Sequence, residues 1–125
     1  MARDFKNIKA WQYADELAVS VYSKTKSFPR EELYGITSQL RRAVVSAAAN
    51  IVEGATREHR KEYLNFLYIA RASTAETEYL LHLSKRLGYL EDSGYQRLEA
   101  LRAETARTLY GLINSVAKEC KEAKS

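Results

Sequence analysis

One cysteine, one proline and one methionine occur in 125 residues, and glycine only five times. The lone Cys120 excludes an internal disulfide and leaves too few thiolates for a zinc or iron–sulfur site. Pro29 and the scattered glycines give a helix few places to stop. There are two histidines, His59 and His82, and neither follows a glutamate by three residues, the spacing with which helical bundles hold a di-iron pair. Glu78 and His82, one helical turn apart, read as a surface pair. Glu58 with Glu62 and Glu76 with Glu78 do not reproduce a paired acidic motif for magnesium. No glycine-rich phosphate loop is present, and no nucleophile stands at a recognisable spacing from a base. The longest apolar run, Ala43 to Val52, is broken by Ser46 and Asn50 and is half the length needed to cross a bilayer. The opening MARDFKNIKAW mixes charges with apolar residues and lacks an h-region, so the chain reads as cytoplasmic, with no membrane partner. Neither enzyme activity nor a cofactor is expected.

What the chain does have is helix. Hydrophobic residues make up 46% and charged residues 29%, ordinary for one folded domain over residues 1–125 with a small core. The punctuation divides it into four helices at about 8–26, 35–53, 59–87 and 93–118. Trp11, Ala14, Ala18 and Val21, widened by Leu17, form the inner stripe of the first. FPREELYG is the first connection. Ile36, Leu40, Ala43, Ala47 and Asn50 line the second, with Val44, Ala48 and Ile51 beside them. Gly54 is expected to cap it in the left-handed conformation, and Gly88 to cap the third. In LGYLEDSGY, Asp92 or Ser93 is expected to cap the last helix. Its core positions are Leu98, Leu101, Thr105, Leu109, Leu112 and Val116, and its tail CKEAKS is expected to fray. Short connections between long helices predict an all-α, antiparallel up-down-up-down four-helix bundle.

The third helix carries two apolar stripes where one buried face needs one. Tyr63, Leu67, Ala70, Thr74, Thr77 and Leu81 form the first. Leu64, Tyr68, Ala75, Tyr79 and Leu83 form the second, and Leu64, Tyr68, Tyr79 and Leu83 are read as a subunit interface, where an apolar ring is covered while its hydroxyl stays wet, the alternative being tyrosines at the bundle rim with their hydroxyls in water. On the second helix, Ala47 to Ala49 admit a close neighbour, and Ser46 and Asn50 lie one turn apart on one side. Buried, they require partners from another helix; Ser73, Glu76 and Arg71 are the candidates, in a network that sets helix register.

RRAVVSAAANIVEG, with Arg42, Ser46, Asn50, Glu53 and Gly54, followed by YLNFLYIARASTAETEYLL, with Arg71, Ser73, Glu76 and Glu78, resembles the bacterial proteins encoded in intervening sequences of 23S ribosomal RNA, the S23 family. FKNIKAWQYADELAVSVY, with Phe5, Trp11 and Leu17, resembles that family's opening, so the likeness spans roughly Phe5 to Leu90. Ala72 stands where a glycine is common after the third-helix arginine. The resemblance implies a four-helix bundle assembling as a ring-shaped homopentamer, with no enzyme activity, and adds Arg42 and Glu53 to the structural polar set. A more distant likeness is to the accessory proteins of diversity-generating retroelements, bundles that engage a reverse transcriptase and nucleic acid.

Lys plus Arg exceed Asp plus Glu by 20 to 16, a net charge of +4. Arg41, then Arg57, Arg60 and Lys61, then Lys85 and Arg86 supply basic clusters near helix ends, candidate contacts to RNA or DNA. A ring would repeat each cluster in every copy, adding weak phosphate contacts with strong salt dependence. The alternative is a protein–protein interaction scaffold, docking a protein partner and using its basic surplus for solubility.

Overall fold

The computed structural model describes residues 3–124, and all regular structure within them is helical: α1 (Lys9–Thr25), α2 (Ile36–Ala55), α3 (Arg60–Arg86) and α4 (Asp92–Lys124), with single 3₁₀ turns at Phe5–Asn7 and Arg30–Glu32. The helices pack in a closed cycle, α1 on α2, α2 on α3, α3 on α4 and α4 on α1, with no diagonal pair. Contacts between neighbours run in opposite senses along the chain. Arg41 of α2 reaches Thr25 at the end of α1, while Arg3, before α1, reaches the end of α2. Lys85 pairs with Asp92 and Arg60 with Glu119, so α3 and α4 are also antiparallel. This is the expected four-helix bundle. No helix of the described residues is long and apolar enough to cross a membrane.

Each helix buries one stripe, close to the expected ones but rotated in α1. Ala10, Ala14, Leu17, Val21 and Thr25 are buried there, while Trp11 and Ala18 stand half-buried at the edge. Trp11 instead takes the edge of Phe5, at 4.9 Å between ring centres, and so anchors the leading 3₁₀ turn. The first α3 stripe, Tyr63 through Leu81, faces the core at every position. Two apolar clusters result. One is built around Leu17, Val21, Leu40, Val44, Leu81 and Leu98. The other surrounds Ala14, Ile51, Tyr63, Leu67, Leu109 and Ile113.

Between them lie the buried hydroxyls of Thr74, Thr77 and Thr105. Each donates to the carbonyl four residues back, at 2.8 Å, so the waist of the bundle holds polar atoms without orphaning them.

The helix ends correct three expectations. Gly54 is not a left-handed cap: it is helical, and among the described residues Gly88, at φ +80°, is the only residue with positive φ. The α2 terminus is closed by other means, with Thr56 N–H donating to Glu53 and Arg57 N–H to Gly54 carbonyls, and the Arg3 guanidinium donating to the Arg57 carbonyl at 3.0 Å. At Gly88 the expected cap is present, Tyr89 N–H donating to Ser84 and Gly88 N–H to Lys85 carbonyls. Asp92 and Ser93 lie inside the first turn of α4 rather than capping it; the preceding Glu91 carbonyl accepts from Tyr95 N–H at 2.9 Å. Finally, α4 does not end at 118 but continues to Lys124, because no glycine or proline follows Lys118, Val116 belongs to the cluster around Ala10 and Tyr63, and Cys120 packs against it. Ser125 lies outside the described residues.

Candidate nucleic-acid interface

The small residues of α2 bring its backbone close to α3, and Ser46 and Ser73 meet there, their hydroxyls 2.7 Å apart. Asn50 Nδ2 donates to the Ser46 carbonyl at 2.8 Å and to its Oγ at 3.2 Å. Asn50 therefore finds its partners one turn back on its own helix, not on another. Gln39, Arg42, Ala43 and Glu76 complete a groove of about 230 Å³ above this hydroxyl pair. Arg42 and Glu76 face it from opposite helices.

Arg71 and Glu53 stand outside that set. Arg71 projects toward α4, stacked over the Tyr68 ring at 4.8 Å, in a groove shared with Glu78 and Arg102. A helix surface turns by 100° per residue, which is enough to put Arg71 and Ser73 on different faces. Glu53 is exposed in the last turn of α2, where only its carbonyl is engaged, by Thr56.

The second α3 stripe is not one uniform face. Leu64 and Leu83 are half-buried, each packed against the edge of one core cluster. Tyr68 and Tyr79 are outside, 39% and 59% exposed, and Tyr110 of α4 joins them at 65%. The opposite side of the bundle, formed by α1 and α2, exposes Val19, Tyr22 and Val45.

The six basic candidates divide between the two ends of the bundle, separated by the length of α3, about 40 Å. Arg57, Arg60 and Lys61 lie at one end. Arg57 stacks on Phe66 at 4.6 Å and Arg60 pairs with Glu119 at 3.1 Å, while Lys61 is exposed and free. Arg41, Lys85 and Arg86 lie at the other. Lys85 pairs with Asp92 at 3.5 Å and covers the Tyr95 ring, and Arg86 is exposed and free. Arg41 donates from Nε to Thr25 Oγ1 at 2.9 Å and lies over Tyr22, its terminal amino groups left open. Lys26 and Arg30 join this second end through the turn between α1 and α2, and Arg97 joins it from α4. Sequence reasoning missed these three because none has a basic residue directly beside it in the chain. The signal lay in Pro29, whose turn returns Lys26 and Arg30 toward Arg41. The waist is the reverse, with Asp15, Glu16, Glu76, Glu78, Glu99 and Glu104 outnumbering Arg42, Arg71, Arg102 and Arg107.

The perturbed ionisations are structural. Hydrogen bonding to Glu99 holds the Arg102 guanidinium above its ordinary range, and Glu78 adds a second carboxylate at 3.4 Å. The Arg107 hydrogen bond pulls Glu104 down, with the Tyr13 hydroxyl contributing. Burial raises Tyr63 despite the Arg3 cation over its ring. Among the described residues no three of His, Cys, Asp and Glu gather where a metal ion could be held.

An antiparallel bundle of four helices, with a hydroxyl-bonded seam inside and cations at its ends, places the molecule among the small helical-bundle proteins. The chain belongs to the 23S rRNA-intervening sequence protein family, whose profile matches residues 6–111. It is similar to the crystal structure of a protein of unknown function from the S23 ribosomal protein family of Bacteroides thetaiotaomicron VPI-5482, with a TM-score of 0.77, 28% identity, and coverage of 83% of this chain and 97% of that one. A search of curated proteins found no match.

Proposed function

We propose that this chain is a non-enzymatic bundle that assembles with copies of itself, in the ring of five that the family resemblance implies, and binds RNA or DNA through the cations at its ends. The observation that carries this reading is the uneven spread of charge: at one end Lys24, Lys26, Arg30, Arg41, Lys85, Arg86 and Arg97 outnumber Glu31, Glu32, Glu91 and Asp92, while acids outnumber cations at the waist. A surplus serving solubility alone has no reason to be polarised in this way. Exposed tyrosines on the α3–α4 side and exposed Val19 and Val45 on the opposite α1–α2 side support assembly, since two unlike apolar faces suit head-to-tail contacts between copies.

Binding of structured RNA, duplex DNA and single strands, measured at increasing salt, tests the reading. The expected result is binding at low salt that weakens linearly on a log–log plot, with little dependence on sequence. Absence of binding at low salt overturns the nucleic-acid reading and leaves the protein-docking scaffold, for which the exposed tyrosines provide the surface.

A further inference from the structure

At the end of the bundle where α1 turns into α2, a pocket of about 320 Å³ opens beside Pro29. Lys26, Arg30 and Arg41 are among its lining residues, and no carboxylate is. The nearest acids are directed elsewhere. Glu32 accepts from the Tyr89 hydroxyl at 2.8 Å and from Ile36 N–H at 3.4 Å, and Glu31 is exposed on the same 3₁₀ turn. Lys26 and Arg30 are exposed and without partners, and Arg41 is held in place by Thr25 with its terminal amino groups free.

The same pocket is lined by Thr37, only 3% exposed, whose Oγ1 is the one buried side-chain polar atom among the described residues with no hydrogen-bond partner. The cause is positional. The other buried threonines, Thr25, Thr74, Thr77 and Thr105, each have a full helical turn before them and donate to the carbonyl four residues back. Thr37 is the second residue of α2, so the residue four back is Leu33, in the turn before the helix. A buried hydroxyl without a partner is rare in folded proteins and calls for an explanation, an unseen ligand among them.

We propose that this pocket binds a phosphate group of a nucleotide or polynucleotide, Arg41, Arg30 and Lys26 supplying the positive charge and the Thr37 hydroxyl, enclosed in the pocket wall, turning to donate to a phosphate oxygen. Guanidinium groups match the geometry of phosphate oxygens, and a hydroxyl donor adds a directional bond that loose electrostatic contact lacks. The pocket wall at Leu33 continues in the chain to Tyr34, 93% exposed, an aromatic surface of the kind on which a base of a single strand stacks. The polynucleotide form of this inference rests on the nucleic-acid reading above; the phosphate site itself does not.

Thr37→Val separates the site from general electrostatics, because it keeps shape and charge and removes only the hydroxyl. Binding of inorganic phosphate is measured by calorimetry and binding of a short single-stranded RNA by fluorescence anisotropy, on the full chain. The expected result is a loss of about tenfold for both probes in Thr37→Val, the size of one hydrogen bond to a charged group, with no fall in melting temperature. Arg30→Gln, at an exposed position that cannot unfold the protein, gives a second loss in both. If RNA binds but neither variant weakens it, the pocket is not the contact and the nucleic-acid reading stands without it. Phosphate binding lost in Thr37→Val, with no RNA bound by the unaltered protein, supports the pocket and overturns the nucleic-acid reading. If neither probe binds the unaltered protein, both fall.

Discussion

Ser46 and Ser73 share a 2.7 Å hydrogen bond between their hydroxyls where α2 packs on α3. The bond fixes one turn of α2 against one turn of α3, and Asn50 reinforces it by donating to Ser46 Oγ. A slide of either helix by one turn, 5.4 Å, breaks it outright.

Replacing either serine by alanine therefore leaves the other hydroxyl short of a partner in a half-buried seam. Ser73→Ala is expected to lower stability by about 1 kcal/mol, and Ser46→Ala by somewhat more because Asn50 loses an acceptor as well. The double variant should lose less than the sum, since the two changes remove one shared bond. Urea unfolding of the four species measures the coupling. A strictly additive double variant would show that the bond contributes nothing to register or stability.

Gly54 and Gly111 are both helical, but the packing around them differs. A Cβ at Gly54 would lie 2.8 Å from Tyr63 Cδ1 and 2.9 Å from Phe66 Cβ, whereas a Cβ at Gly111 meets nothing within 4 Å. Gly54→Ala gains helix propensity and loses more to overlap with a buried ring, for a net destabilisation of about 1–2 kcal/mol. Gly111→Ala should stabilise by about 0.5–1 kcal/mol, as a helical glycine relieved of backbone entropy. Thermal unfolding of the two variants side by side should move in opposite directions.

Punctuation by glycine and proline separated the four helices and periodicity located the α3 core stripe, because every third or fourth residue from Tyr63 to Leu81 is apolar or a threonine able to satisfy itself. It failed at Gly54, where the residue is set by the approach of α3 and not by the local end of α2. A sequence shows that a glycine is present but not which of its two uses applies. Ser73 was legible as a partner for Ser46 because buried polar groups must pair. Arg71 was misplaced because two residues of separation, harmless in a strand, carry a helical side chain to another face. The pocket at Thr37 was not legible, since its cations come from two elements joined by a turn and its orphan hydroxyl is recognisable only from burial.

Stability should also respond to alkali. Burial is the main cause of the raised Tyr63 ionisation, offset in part by Arg3; the hydrogen bond to Glu32 is the main cause at Tyr89. Both hydroxyls thus ionise above the ordinary value of 10.0 in the folded chain. Between that value and the raised ones, the folded chain binds more protons than the unfolded one, so stability falls as pH rises. The contribution is complete below pH 10 and is lost progressively above it. Chemical denaturation across the alkaline range should show this slope, and Tyr63→Phe with Tyr89→Phe should flatten it. An unchanged slope in the double variant would assign the alkaline loss to other groups.

The tyrosine face on α3 and α4 and the valine face on α1 and α2 lie on opposite sides of the closed helix cycle, so head-to-tail assembly must consume both. Tyr79→Asp with Tyr110→Asp places charge on the first face at positions that are 59% and 65% exposed, and Val19→Asp with Val45→Asp does so on the second. Neither pair touches the core, so each variant should fold. Light scattering should find each reduced toward the single-chain mass of 14.3 kDa. Mixed together, the two variants should form a heterodimer and stop, because the intact valine face of one meets the intact tyrosine face of the other and leaves two charged faces outside. If the contact instead joined two copies of the same face, the variant keeping that face would dimerise alone and mixing would add nothing. An unaltered chain that stays monomeric at every concentration removes the premise of both arrangements.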